Sequence, residues 1–250
     1  MLKKEIMKHD VLLSFADFGE GDINNFCFTH FGGSNWEEHS FYIFDKFRDK
    51  NKVMIDMGGW LGITPLYCSQ KFNSVVAFEC DKVALKRFHA NLNANPKITN
   101  VNVIEEAVWI ENGEIELYAQ GEFGDSESTL VILEPSDDGK INSVKCSTFL
   151  SAMNNQRISL RDIGFIKMDI EGSEAKVIFD MQNYLSAYKP TLYISIHHHL
   201  IDDLGVLNLL TLLFSIYLKA IIFNANGDEQ EVSKADIINN KLGDCVFTQK

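Results

Sequence analysis

The sequence predicts an α/β fold built on a doubly wound, mostly parallel sheet, and three observations carry that prediction. First, an apolar, partly β-branched run, Val53-Met-Ile-Asp-Met57, stops at a cluster of three glycines, Gly58, Gly59 and Gly62; after a helix-like segment a second run, Val75-Val-Ala-Phe78, ends in Glu79. A carboxylate about 20 residues beyond a glycine-rich turn has the spacing of a nucleotide-binding βαβ unit. Second, two later apolar runs, Phe165-Ile-Lys-Met-Asp169 and Pro190-Thr-Leu-Tyr-Ile-Ser-Ile-His197, also end in acids or histidines. Third, strand-like and helix-like segments alternate, which means parallel strands, right-handed crossovers and helices on both faces.

Residues 1–52 read as an N-terminal extension of mixed strand and helix that packs on the core, and residues 53–250 as the main domain, with a lid or insert near 121–150. A strand begins at Val53, a helix spans Gly62 to Phe72, a strand starts at Ser74, and a helix runs from Asp81 to Asn95. Strands follow near Val101 and Ile115, then a polar loop from Gly121 to Ser128 and extended chain through Phe149. A strand at Phe165, a helix at Ser173, a strand at Pro190, a helix at Leu204, a strand at Ala220 and a last strand near Asp244 complete the order. No internal repeat, low-complexity tract or Pro/Gly/Ser-rich linker divides the chain.

In an open parallel sheet, ligands bind outside the carboxyl ends of the strands, so Asp56, Glu79, Asp169 and His197 are expected in one crevice. Glycines without a Cβ let backbone N–H groups approach a ligand, and Glu79 can accept from both hydroxyls of a ribose. An ordinary strand-to-helix turn, with Glu79 or Asp81 capping the helix, is the competing reading. Gly58, Gly59 and Gly62 do not spell G-x-G-x-x-G, and Asp56 is an acid inside the first strand's end, so S-adenosylmethionine is expected rather than NAD. Trp60 supplies either a flat apolar wall or a core ring.

His197 is the first candidate for a general base, because imidazole is poised near neutral pH. His199 would share its side if the strand continues and His198 would point away; a solvated or packing triplet is the alternative. Asp169 and Glu171, two apart, share a face and with His197 or His199 have the donor types for a hard divalent ion. The expectation is nevertheless that no metal is held and that activity survives a chelator. Asp169 is placed near the cofactor or acceptor, whereas Glu174 complements the first turn of a helix. Glu106 either reads an adenine amino group or is a surface acid. The loop from Gly121 to Thr129 is either a lid or a plain connector.

Asp56-Met-Gly58, Phe78-Glu79 and above all Lys167-Met-Asp-Ile-Glu-Gly-Ser-Glu174 resemble the FkbM-type S-adenosylmethionine-dependent methyltransferases, whose signature is D-x-E-G-x-E. The likeness runs from about Trp36-Glu37 to about His197, with one departure: Gly59 and Trp60 stand where the family commonly has Ala-Asn. The resemblance implies a class I methyltransferase, Rossmann-like, with an antiparallel last strand. Cofactor contacts are expected from Asp56, Gly58, Gly59, Trp60, Gly62, Glu79, Cys80, Glu106, Ala107 and Asp169, with His197, by its position, and Asp169 as catalytic residues. The activity implied is O-methylation of a hydroxyl of a sugar or other secondary metabolite or glycan precursor. N-methylation of a small amine, a nicotinamide-dependent oxidoreductase and a non-catalytic cofactor-binding scaffold stay open as alternatives.

With 46% hydrophobic and 23% charged residues in 250, the chain can bury a sizeable core. A formal charge of −12 opposes nucleic-acid partners, whose phosphates are met by Lys and Arg, and a small-molecule acceptor is expected instead. Cys27, Cys68, Cys80, Cys146 and Cys245 are scattered without a C-x-x-C pair, which fits reduced thiols in the cytoplasm. Met1 to Asp10 carries lysines with no sustained apolar run after them, unlike a signal peptide. Leu204 to Leu218 is too short for a span of about 20 apolar residues and is interrupted by Asn208, Thr211 and Ser215, so it reads as a helix buried against a sheet. Oligomeric state leaves no mark in the sequence.

Overall fold

A computed structural model describes residues 3–19, 21–22, 25–31, 36–119, 121–131 and 140–249. The chain opens with a hairpin of β1 (Lys3–Lys8) and β2 (Val11–Ala16), paired antiparallel, and continues through α1 (Glu38–Phe47). The βαβ unit follows as β3 (Val53–Met57), α2 (Ile63–Cys68) and β4 (Ser74–Phe78), succeeded by α3 (Lys82–Ala94) and β5 (Val101–Ile104). Next come β6 (Ala107–Val108), β7 (Gly113–Ala119), β8 (Lys140–Ser147) and α4 (Phe149–Asn155). The second half holds β9 (Ile163–Met168), α5 (Glu174–Asp180), α6 (Gln182–Tyr188), β10 (Thr191–Ser195) and α7 (Asp203–Ile216). It closes with β11 (Lys219–Phe223), β12 (Glu229–Val232), α8 (Lys234–Asn240) and β13 (Asp244–Thr248).

The main sheet has eight strands in the order β12-β11-β13-β10-β9-β3-β4-β5. Strands β10, β9, β3, β4 and β5 run parallel, and β13 lies antiparallel between β10 and β11. The chain winds outward from β3 to β5 and then returns to the other side of β3 with β9. That switch point between β3 and β9 opens the crevice where open α/β sheets bind ligands.

Period-two alternation splits the strands between two cores. Ile55, Met57, Ile166, Met168, Leu192 and Ile194 face one, with Phe149, Val177, Leu209, Leu213 and Phe247. Met54, Phe165 and Tyr193 face the other, which the N-terminal segment supplies with Val11, Leu13, Phe15, Phe31, Phe41 and Phe44. These described residues ahead of β3 therefore build one side of the same core. Helix α7 buries Val206, Leu209, Leu210, Leu213 and Ile216 against the sheet, and among the described residues no helix is long and apolar enough to cross a membrane.

Several elements depart from expectation. Helix α2 stops at Cys68 instead of Phe72, because the chain tightens into three-residue turns, with Gln70 N–H on Tyr67 O and Lys71 N–H on Cys68 O. Part of the stretch expected to be extended, residues 132–139, lies outside the described residues. The remainder, β8, leaves the main sheet to form a three-stranded sheet with β6 and β7, and Phe149 begins a helix whose cap, Thr148, accepts from Ser151 N–H at 3.2 Å. The edge strand β12 and helix α8, started by a Ser233/Asp236 capping box, were not foreseen.

Candidate active site

At the carboxyl ends of β3, β4, β9 and β10 lies a cavity of about 490 Å3. Its glycine turn is shaped chiefly by the protein's own packing. Gly58 has φ 90°, and a Cβ there would stand 2.0 Å from the Asp169 carbonyl oxygen. Gly62 has φ 82°, and a Cβ there would stand 2.3 Å from the Phe88 ring. Gly58 N–H and Gly59 N–H both donate to Phe78 O, at 3.1 and 2.9 Å, pinning the turn to the tip of β4. Asn91 of α3 holds the far end, donating to Leu61 O at 2.9 Å while accepting from Ala16 N–H of the hairpin.

Glu79 occupies the tip of β4 on the cavity wall and organises the loops around it. One carboxylate oxygen accepts from Cys80 N–H and Asp81 N–H at 2.8 Å each, the other from Trp60 N–H at 2.7 Å. Burial outweighs those bonds and pushes its carboxyl up to about 7. Trp60, in left-handed backbone at φ 45°, extends over the cavity and donates its indole N–H to Gly124 O at 2.9 Å. Gly124 N–H in turn donates to Asp81 at 2.6 Å, and Ser128 donates to the same oxygen at 3.3 Å. The polar loop thus lies over the site, tied to Trp60 and to the cap of α3.

Of the residues expected at the cofactor, Gly58, Gly59, Trp60, Glu79, Cys80, Glu106, Ala107 and Asp169 line the cavity. Asp56 and Gly62 do not. Asp56 is fully buried beneath Lys167, whose ammonium lies 3.5 Å away, and burial raises its carboxyl to about 6. Gly62 caps α2 and is spent on the approach of Phe88. Glu106 lies beyond β5, which ends at Ile104.

The signature segment and the histidine loop meet on the opposite wall. Gly172, at φ 92°, would place a Cβ 2.6 Å from the Leu200 side chain, so its lack of one brings the two loops together. Strand β10 ends at Ser195, which puts His197 in the following turn. Its Nδ1 meets Glu174 at 2.8 Å, and its Nε2 faces Glu171 at 3.1 Å and Asp169 at 3.6 Å. Burial would lower the imidazole, but the bonds to Glu171 and Glu174 prevail and push it up to about 11. With both ring nitrogens turned toward carboxylates, this environment favours the protonated imidazole. His199 also reaches the cavity, its ring 5.9 Å from that of His197, whereas His198 bonds to Leu242 O at 3.0 Å. Glu174, completely buried, accepts from Ile170 N–H at 3.1 Å as well as holding His197; it does more than sit in the first helical turn.

Other wall residues escaped the sequence reading. Lys167 lay inside the signature, two residues before Asp169 and so on the same face; its ammonium reaches Asp169 at 3.3 Å and Gly58 O at 3.4 Å. Burial would lower its pKa, but the carboxylates of Asp169, Asp56 and Glu37 prevail and raise it. Glu37, Trp36 and Phe26 come from the N-terminal segment, with Phe26 packed edge-on against Trp36 and Trp60 at 5.1 Å each. Burial first, then the charge of Asp169, raises the Glu37 carboxyl to about 7. Asp244, at the start of β13, accepts from Ser195 at 2.7 Å and pairs with His39 at 3.1 Å. No local pattern marks these positions, because they enter by long-range packing.

The fold and this site define a Rossmann-like domain with a nucleoside-sized cavity at its switch point. The FkbM methyltransferase domain matches residues 56–236, and the chain belongs to the FkbM methyltransferase family, whose methyl donor is S-adenosylmethionine. Among solved structures it is similar to the FkbM methyltransferase of Methylobacillus flagellatus KT, with TM-score 0.51 and 18% identity over 80% of this chain and 44% of that one. The chain therefore spans less than half the length of that protein. A Streptococcus mutans protein solved in complex with SAH aligns with TM-score 0.47 and 13% identity over 84% of this chain and 96% of that one. An rRNA methylase of Streptococcus thermophilus gives TM-score 0.43 and 11% identity over 85% and 94%. No curated protein matches the chain in sequence.

The described residues fit the cofactor. Glu79 would hold the ribose hydroxyls, and the glycine turn, Trp60, Cys80, Glu106 and Ala107 would surround the nucleoside. Lys167 would place a cation beside Gly58 O for a carboxylate.

Proposed function

We propose that the protein methylates a hydroxyl of a sugar or other secondary metabolite or glycan precursor, using S-adenosylmethionine, in the cytoplasm. The observation that carries this reading is one cavity that joins the Glu79 wall to an acceptor wall of flat rings and carboxylates. Phe26, Trp36 and Trp60 offer surface for the apolar face of a sugar ring, while Glu37, Asp169 and Asp244 offer acceptors for its hydroxyls.

When bound, the cofactor supplies an electrophilic methyl group for in-line displacement. The chain's own residues align the acceptor and remove its proton. Positioning in a closed pocket supplies about 7–11 kcal/mol of such a barrier. The loop held by Trp60 and Asp81 covers the site against water. Glu37 receives the acceptor's proton: it faces the cavity and is poised near neutrality.

Calorimetry is expected to show S-adenosylmethionine and its demethylated product binding and NAD not binding. Mass spectrometry of products from a panel of hydroxyl and amine acceptors is expected to find a methyl ether. At saturating cofactor, kcat is expected to rise with pH through about 7, and Glu37→Gln to lower it by about 10²–10⁴-fold and remove that limb. Tight NAD binding, or methylamine products alone, would overturn the reading. A Glu37→Gln variant with wild-type turnover would remove Glu37 from the chemistry.

A further inference from the structure

We propose that Asp169, Glu171 and His197 form a binding site for one divalent cation, Mn2+ or Mg2+, on the acceptor wall of the cavity. This reverses the expectation drawn from the sequence that the trio holds no ion. One ligand atom from each residue lies within 4.8 Å of the others. His197 Nε2 stands 3.1 Å from Glu171 and 3.6 Å from Asp169. Neighbouring ligands of an octahedral ion with bonds of about 2.1 Å lie about 3 Å apart, so a small inward movement of Asp169 completes a facial set.

A second feature points the same way. Metal-bound histidines usually give their other ring nitrogen to a carboxylate, which fixes the tautomer and aims the ligand nitrogen. Glu174, fully buried, holds Nδ1 at 2.8 Å and is itself fixed by Ile170 N–H, and its other oxygen has no hydrogen-bond partner among the described residues. A buried carboxylate with a spare oxygen is costly unless positive charge stands nearby. A proton on His197 supplies one such charge; a cation at Nε2 supplies two, shared among Asp169, Glu171 and Glu174. Lys167 occupies only one oxygen of Asp169, leaving the oxygen that faces His197.

The turn that carries the trio is fixed as well. Thr129 donates its hydroxyl to Glu171 O, and Gly172 seats the turn against Leu200. On its open side the cluster faces the main cavity and an adjoining one of about 310 Å3 bordered by Ser126, Glu127 and His199. That space leaves coordination positions for water and for an acceptor oxygen, whose proton the cation would make more acidic. Two carboxylates with one imidazole suit Mn2+ better than Mg2+, since imidazole favours the softer ion.

The cation's part in turnover rests on the methyl-transfer reading, but its binding does not, so the test reads binding alone. The full chain, stripped with a chelator and dialysed, is titrated with Mn2+ while free Mn2+ is followed by electron paramagnetic resonance, with no cofactor or acceptor present. One saturable ion per chain is expected. His197→Gln and Asp169→Asn are each expected to weaken it by at least about tenfold, and Glu174→Gln by about 10–100-fold through the histidine it holds. Circular dichroism and melting identify variants that fail to fold, and Glu171→Gln replaces any that do. Absence of saturable binding in the wild type overturns the proposal, as does binding that folded Asp169, Glu171 and His197 variants leave unchanged.

Discussion

Glu79 illustrates how one side chain couples loop geometry to ligand binding. Its three backbone donors hold the turn from Trp60 to Asp81, yet burial still sets its carboxyl near 7 instead of the ordinary 4.5. A carboxyl raised by folding stabilises the native state most below about 4.5, and that contribution is lost as pH rises through about 7. Ribose hydroxyls donate to the ionised form, so cofactor affinity follows the opposite course. Binding of the demethylated cofactor is expected to strengthen up to tenfold per pH unit below about 7 and to level off above it. In Glu79→Gln the pH dependence is expected to flatten and affinity at pH 8 to fall by about 1.5–3 kcal/mol. Calorimetry across pH measures both; a variant with the wild-type slope would assign the titration elsewhere.

At the scale of elements, the lid and the third helix are one unit. Asp81 caps α3 through Val83 N–H at 2.7 Å and holds Gly124 N–H with its other oxygen at 2.6 Å. Asp81→Ala removes a cap worth about 0.5–2 kcal/mol. It also strands a buried N–H at about 1–3 kcal/mol. Denaturant unfolding is therefore expected to show a loss of about 1.5–5 kcal/mol, with cofactor affinity falling as the loop comes free of the cavity. Asp81→Asn keeps an acceptor for the cap and is expected to lose less. Equal stability in Asp81→Ala and wild type would mean that the loop and α3 are independent.

The whole molecule depends on its N-terminal segment more than the label of extension suggests. Phe15, Phe31, Phe41 and Phe44 are each no more than 1% exposed and pack on the face of the sheet that carries Met54, Phe165 and Tyr193. Burying four such side chains contributes about 6–12 kcal/mol at about 1.5–3 each. That equals most of a domain's usual net stability of about 5–15 kcal/mol. The polar contacts His9 to Asp45 at 2.7 Å and His9 to Glu38 at 2.8 Å bind the hairpin to α1, and Tyr67 to Asp45 at 2.9 Å binds α2 to α1. A chain starting at residue 53 is expected to be insoluble or to lack a cooperative melting transition. A soluble fragment with a sharp transition would show that residues 53–250 hold a self-sufficient core.

The frame of the fold and one wall of the cavity were legible in the sequence alone. Apolar runs with period-two partners specify β3, β4, β9 and β10, and their terminal acids specify the crevice, because strand direction and side-chain alternation are local properties. Glu79, Asp169 and the glycine turn were legible for that reason. Tertiary structure decided which acids reach the cavity and what each can do. Asp56 lies one residue inside the end of β3 and Asp169 directly follows β9, but Asp56 is sealed under Lys167 while Asp169 faces the pocket. Glu37, Trp36 and Phe26 join the site from a segment distant in sequence. His197 is the sharpest case, since the residue type suggested a base and only the tertiary structure surrounds it with the carboxylates of Asp169, Glu171 and Glu174. Protonation and coordination are set by what lies within a few ångströms in space, and that neighbourhood is assembled by long-range contacts no local pattern encodes.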